Sequence, residues 1–223
     1  SKNSKAPAPT FNENFEKVYD LQYWPRYSNF YQYVNEDFIS LRARNAGLDP
    51  LQIKNRKISF NILSKDKIAA FEFLDQAGLY KCGLKFITCN HISYASSPVW
   101  DITKYEYLFR LLDEKGIKAI CTGAHNEPLP CGAIDARGIS YLQWTEIISW
   151  SDCWLGLDSG AKALAASTET PMIVLHSRDF PILKTGCASI GIRTKNICEL
   201  FTTPSFDTVF KLNLKMINEN EYR

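Results

Sequence analysis

The run Gly156-Leu-Asp158-Ser159-Gly160-Ala-Lys162-Ala-Leu-Ala-Ala-Ser167 carries the sharpest chemical signal in the chain. An apolar stretch enters Asp-Ser-Gly and passes directly into an alanine-rich helix pattern. Small residues let a ligand come close to the backbone, and the unpaired N–H groups that open a helix suit a phosphate or diphosphate. Ser159 adds a hydroxyl donor, and Lys162 is a weaker candidate because its position reads as a solvated helix face. The same pattern also fits a plain core helix capped by Asp158 or Ser159 and packed through its alanines. The motif alone does not separate the two. His91, His125 and His176 each stand at the end of an apolar strand pattern, where a loop histidine with a local hydrogen bond is the plain reading and a role beside a ligand the other. No histidine pair or carboxylate pair has ligand spacing, so no metal site is expected.

The elements that must position these residues follow from apolar period and from Gly/Pro punctuation. Short apolar runs predict strands over 58–63, 84–89, 117–122, 153–157 and 172–175, with another at 189–192. Helical spacing predicts helices over 65–77 (capped by Ser64), 101–115, 141–149, 160–167 and 206–217, with Gly78 and Gly116 as stops. Residues 123–138 read as a long loop or a short proline-limited helix. Strands apolar at nearly every position, alternating with helices, describe a parallel sheet covered on both faces. Ligands of such sheets bind beyond the carboxyl ends of the strands, which here are loops 90–98, 123–127, 158–160 and 176–179.

A length of 223 residues fits one large domain or one domain plus part of another. Residues 1–10 read as a flexible tail, 11–57 as the end of a preceding domain or a linker, and 58–223 as one doubly wound α/β domain. At 45% hydrophobic and 22% charged residues the chain is globular. No apolar run reaches the ~18 residues of a membrane span. The 26 basic and 24 acidic residues nearly cancel, which gives no signal for nucleic acid or an anionic membrane. Seven cysteines form no CxxC pair, and the apolar neighbours of Cys89, Cys121 and Cys153 predict reduced, buried thiols. No signal peptide is visible, so the expected location is cytoplasmic.

Asp158-Ser-Gly160-x-x-x-Leu-Ala-Ala, followed by Thr170-Pro-Met-Ile-Val-Leu175, resembles glycosyltransferase family 9, which includes the ADP-heptose:lipopolysaccharide heptosyltransferases. Three more segments fall in that family's order. They are Phe86 to Asn90 with the Trp100-Asp-Ile-Thr-Lys-Tyr-Glu-Tyr-Leu108 helix, Gly116 to Glu127, and Gly138 to Asp152. The resemblance spans roughly 58–180. It implies a GT-B fold, two Rossmann-like domains across a cleft, whose C-terminal domain holds a nucleotide-diphosphate sugar. Glu127 matches the acidic residue that binds the donor ribose hydroxyls, at the end of a Gly123-to-Glu127 turn, and Asp158, Ser159 and Gly160 match the turn beside the diphosphate. Two positions depart from the family's pattern, Ala163 where it has His and Pro98 where it has a basic residue. Ser96, Ser97, Lys162 and backbone amides are left to meet the diphosphate charge, and His125 or His176 could stand in for the missing histidine.

The resemblance implies an inverting, metal-independent transfer to a carbohydrate or other hydroxyl acceptor, with no cofactor besides the nucleotide-sugar donor. The family's catalytic base has no counterpart here, so the expected chain lacks the first ~100 or more residues of a GT-B enzyme, which a companion chain could supply. The segment 16–26 resembles a late strand of that first domain, and the dense aromatics of 19–33 read either as an acceptor-facing wall or as packing against it. The other reading is a non-catalytic module that keeps the fold for assembly or ligand sensing. A dinucleotide oxidoreductase is disfavoured, since no GxGxxG follows a strand.

Overall fold

Strands that are apolar on both sides of the pleat must lie in a middle layer, and the order of apolar residues says which helix covers which face. The computed structural model describes residues 43, 46–53, 59–80, 84–93, 100–157, 159–176, 197–200 and 204–219. Six strands form its sheet: β1 (Lys85–Asn90), β2 (Ile117–Gly123), β3 (Ala133–Arg137), β4 (Cys153–Leu157), β5 (Met172–Leu175) and β6 (Ile197–Leu200). Every pairing is parallel, in the order β3-β2-β1-β4-β5-β6.

Along β1, β4 and β5, alternate residues go to opposite layers. Ile87, Cys89, Leu155, Leu157, Ile173 and Leu175 pack under α2 (Ile102–Asp113) and α5 (Phe206–Glu219). Their neighbours Phe86, Trp154, Met172 and Val174 face the other way, towards α1 (Ser64–Gln76), α3 (Tyr141–Trp150) and α4 (Gly160–Ala166). The helix starts are chemically marked. Asp101 accepts the Lys104 N–H to open α2, and Ser140 with Gln143 forms a reciprocal capping box on α3. Gly78 and Gly116 take positive φ and stop the chain after α1 and α2.

The chain order reverses between β1 and β4. From β1 it runs outward to β2 and β3, and then it crosses back to β4 on the other side of β1. Beyond such a reversal the loops diverge and leave a crevice. The expected α/β architecture, the strands at 84–89, 117–122, 153–157 and 172–175 and the five helices are all present, most shifted by a residue or two at their ends.

Several expectations need correction or fall elsewhere. Residues 59–63 make no strand, and Ser64 is the first residue of α1 without a side-chain capping bond, the cap position being Leu63. Residues 133–137 form edge strand β3 and not loop or helix; Asp135 and Arg137 put charge on it, which hides the apolar alternation of a strand. Strand β6 was not anticipated, and the strand expected at 189–192 lies outside the described residues, as does nearly all of 1–57. Among the described residues no helix is long and apolar enough to cross a membrane, and no group of His, Cys, Asp and Glu is placed to hold a metal ion.

Candidate functional site

Beyond the carboxyl ends of β1, β2 and β4 lies a cleft of about 570 Å³. Asn90, the last residue of β1, is buried at its base and ties its walls together. Its Nδ2 donates to the Thr122 carbonyl of β2 at 3.2 Å, and its Oδ1 accepts from Ser159 Oγ at 3.3 Å. One carboxamide thus fixes the spacing between the β2 exit and the start of α4. Gly160 also lines the cleft, and a Cβ built there meets no atom within 4 Å. A side chain at that position would occupy the cleft and not the core.

The opposite wall is the turn leaving β2. Glu127 is only 7% exposed and lines the cleft, and its Oε2 is buried with no hydrogen-bond partner among the described residues. The carboxylate rests against the Cα of Gly123: a Cβ there would lie 2.1 Å from Oε2. Gly123 is therefore a steric requirement of this carboxylate. The turn is held from behind. The Glu127 N–H donates to Ala124 O at 3.0 Å, the Gly138 N–H donates to Gly123 O at 2.9 Å, and Arg137 Nη1 donates to the Glu127 carbonyl. A buried carboxylate oxygen without a donor is costly, and a ligand hydroxyl entering the cleft relieves it.

Part of the cleft lining is apolar. Ile139, Tyr141, Trp144 and Leu164 line it, with Tyr141 edge-on to Trp144 at 5.4 Å between ring centres. Trp144 is buried, and its Nε1 has no acceptor among the described residues. A buried carboxylate, an aromatic pair and the Ser159 hydroxyl on one cleft together suit a ligand with hydroxyls next to an aromatic ring.

Of the residues singled out from the sequence, Gly123, Glu127, Ser159 and Gly160 come together on this cleft. Asp158, Ser96 and Ser97 lie outside the described residues. Lys162 is 2% exposed, which corrects the solvated helix face expected of it, and it does not line the cleft. His125 is exposed and packs against Gly138, and His176 is buried where its N–H donates to Leu200 O at 2.9 Å; neither lines the cleft. His91 is buried at the end of β1 with Nδ1 3.2 Å from Cys121 Sγ. Burial pulls its pKa below the usual imidazole value; the Pro128 backbone opposes this, although Nε2 makes no hydrogen bond of ordinary geometry. Sequence reasoning passed over Asn90, Tyr141, Trp144 and Arg137. Asn90 had a signal, a polar residue closing an apolar strand; Arg137 had none, because its segment did not read as a strand.

No family model and no curated protein matches the sequence. Solved structures do. The chain superposes with a TM-score of 0.69 and 15% identity on the glycosyl transferase family 9 structure from Veillonella parvula, covering 82% of this chain and 61% of that one. With E. coli ADP-heptose LPS heptosyltransferase II the TM-score is 0.57 at 13% identity, covering 73% of this chain and 54% of the other. With E. coli heptosyltransferase WaaC, solved with ADP, it is 0.50 at 16% identity, covering 82% and 55%. The fold is that of GT-B glycosyltransferases, and the chain spans between 54% and 61% of the length of these three structures.

Proposed function

We propose that this protein is a glycosyltransferase that draws its sugar from a nucleotide-diphosphate donor held in the cleft between β1, β2 and β4. The observation that carries this reading is the Glu127 carboxylate, buried, lining the cleft and with no donor to Oε2 among the described residues. Such a group accepts charge-assisted hydrogen bonds from vicinal ribose hydroxyls. Tyr141 and Trp144 then receive the base, and the diphosphate and sugar lie towards Ser159 and Gly160. Two of the similar structures point the same way, since both are heptosyltransferases and one was solved with ADP.

In the proposed reaction an acceptor hydroxyl attacks the anomeric carbon from the face opposite the leaving nucleoside diphosphate, so the configuration inverts. Backbone N–H groups and Ser159 stabilise charge on the departing diphosphate, and this reading calls for no metal ion or further cofactor. The proton of the acceptor hydroxyl goes to a base that is assigned to no residue of this cleft. The buried thiols fit a reducing, cytoplasmic setting.

Titration calorimetry with ADP-, UDP- and GDP-sugars tests the proposal. At least one should bind, and Glu127→Ala should weaken it by about ten- to a hundredfold, the equivalent of one lost charge-assisted hydrogen bond. Its melting temperature should stay near the parent's, because the packing lost with the side chain is offset by removing a buried oxygen that has no donor among the described residues. A parent chain that binds none of the donors, or a variant that binds as well as the parent, sinks the reading. Binding without transfer to any acceptor would favour a ligand-sensing module, which Ala163 in the family's histidine position also favours.

A further inference from the structure

Arg137 sits on edge strand β3, paired in register with Gly123 of β2, and its guanidinium faces two ways. Its Nε donates to Asp135 Oδ1 and its Nη2 to Asp135 Oδ2, both at 2.8 Å, so a neighbour two residues away on the same strand fixes the fork in its plane. The Arg137 N–H adds a third bond to Asp135 Oδ1 at 3.0 Å. With two nitrogens committed, the remaining one, Nη1, points at the Glu127 carbonyl and donates to it. The side chain is mostly covered, at 16% exposure. Next along the chain, Gly138 closes the same turn through its bond to Gly123 O, and its positive φ keeps the backbone turning beneath His125.

From this geometry we infer that Arg137, locked by Asp135, is a positioning residue that sets the Glu127 carboxylate against Gly123 and inside the cleft; the inference rests on the donor reading above. Arg137 touches the main chain of Glu127 and does not line the cleft, so it acts through Glu127 and not on the ligand. Only a planar fork can hold Asp135 with two parallel bonds and still present a third N–H to the turn; a lysine ammonium offers one point of charge for both tasks. Discrimination for ribose hydroxyls should therefore depend on Arg137, while the rest of nucleotide recognition does not.

The readout is the ratio of affinities for a nucleoside diphosphate and its 2′,3′-dideoxy counterpart, measured by calorimetry on the full chain with ADP, UDP and GDP. The parent should prefer the ribose form by about tenfold or more, as one charge-assisted hydrogen bond requires. Glu127→Ala should bring that ratio to about one. Arg137→Met should do the same while keeping the parent's affinity for the dideoxy form, and combining it with Glu127→Ala should add nothing. Arg137→Lys should give an intermediate ratio, and it carries the test if Arg137→Met does not fold. A merely structural role would lower the melting temperature of the Arg137 variants and leave the ratio intact, and that result overturns the inference. If the parent binds no nucleoside diphosphate, or if Glu127→Ala leaves the ratio unchanged, the donor reading itself fails and the inference goes with it.

Discussion

Glu127 reaches its place because a residue four positions earlier has no side chain. Gly123 has no positive φ, so its backbone would accept an alanine; the conflict is purely with the carboxylate, 2.1 Å from the added Cβ. The obstructing atom is the end of a flexible side chain, which can swing aside. Gly123→Ala should therefore keep the fold and lose donor affinity almost as fully as Glu127→Ala, about tenfold or more. Matched melting curves beside calorimetry decide it: unchanged affinity would mean that Oε2 has no ligand to meet. At this scale the sequence was partly legible. Glu127, Gly123, Ser159 and Gly160 follow from position after strands together with a family resemblance. Lys162 was misread, since one charged residue in a short helix gives no period from which to tell its buried side from its exposed one. Arg137 was not readable at all, because the bond that ties it to the site goes to a backbone carbonyl ten residues away.

Elements were legible in proportion to their burial. Strands β1, β2, β4 and β5 are mostly apolar and almost wholly buried because helices cover both their faces, whereas edge strand β3 mixes Asp135 and Arg137 with alanines and gave no such pattern. The crevice depends on how β1 and β4 meet, and Gly156 is the critical point. It pairs with Asn90, and a Cβ there would lie 2.4 Å from the Trp154 ring and 2.9 Å from the Asn90 carbonyl oxygen. Trp154 is fully buried and cannot rotate away, and the carbonyl is main chain of β1. Gly156→Ala should then push the two strands apart or force a strained rotamer, costing about 1–3 kcal/mol. In urea denaturation the midpoint should fall with an unchanged slope. A midpoint equal to the parent's would show that the β1–β4 contact is looser than the structure has it.

Across the whole molecule, the buried ionisable groups dictate how stability changes with pH. Burial lowers the His91 pKa from its ordinary 6.5, so the unfolded chain takes up that proton before the folded one does. Stability from His91 is present above pH 6.5 and is lost as the pH falls from there towards its folded value. The thiols act at the other end. Burial pushes Cys121 up to about 12, and it raises Cys89 and Cys153 as well; Tyr105 rises too, first through burial and then through the neighbouring Cys89 and Cys121. These groups stay neutral in the folded protein while the unfolded thiols ionise near their ordinary 9.0, so their contribution is complete below pH 9 and is lost as the pH rises towards the folded values. Stability should thus be level between about pH 6.5 and 9 and fall on both sides, with each group contributing at most ~1.4 kcal/mol per pH unit. Urea denaturation under reducing conditions at pH 5.5, 7.5 and 10.5 measures both arms. His91→Gln should flatten the fall between 7.5 and 5.5. Cys153→Ala, although less stable everywhere because it leaves a cavity, should show a shallower alkaline slope than the parent. If the parent is as stable at pH 10.5 as at 7.5, these thiols are open to solvent and the core beneath α2 and α5 is not closed.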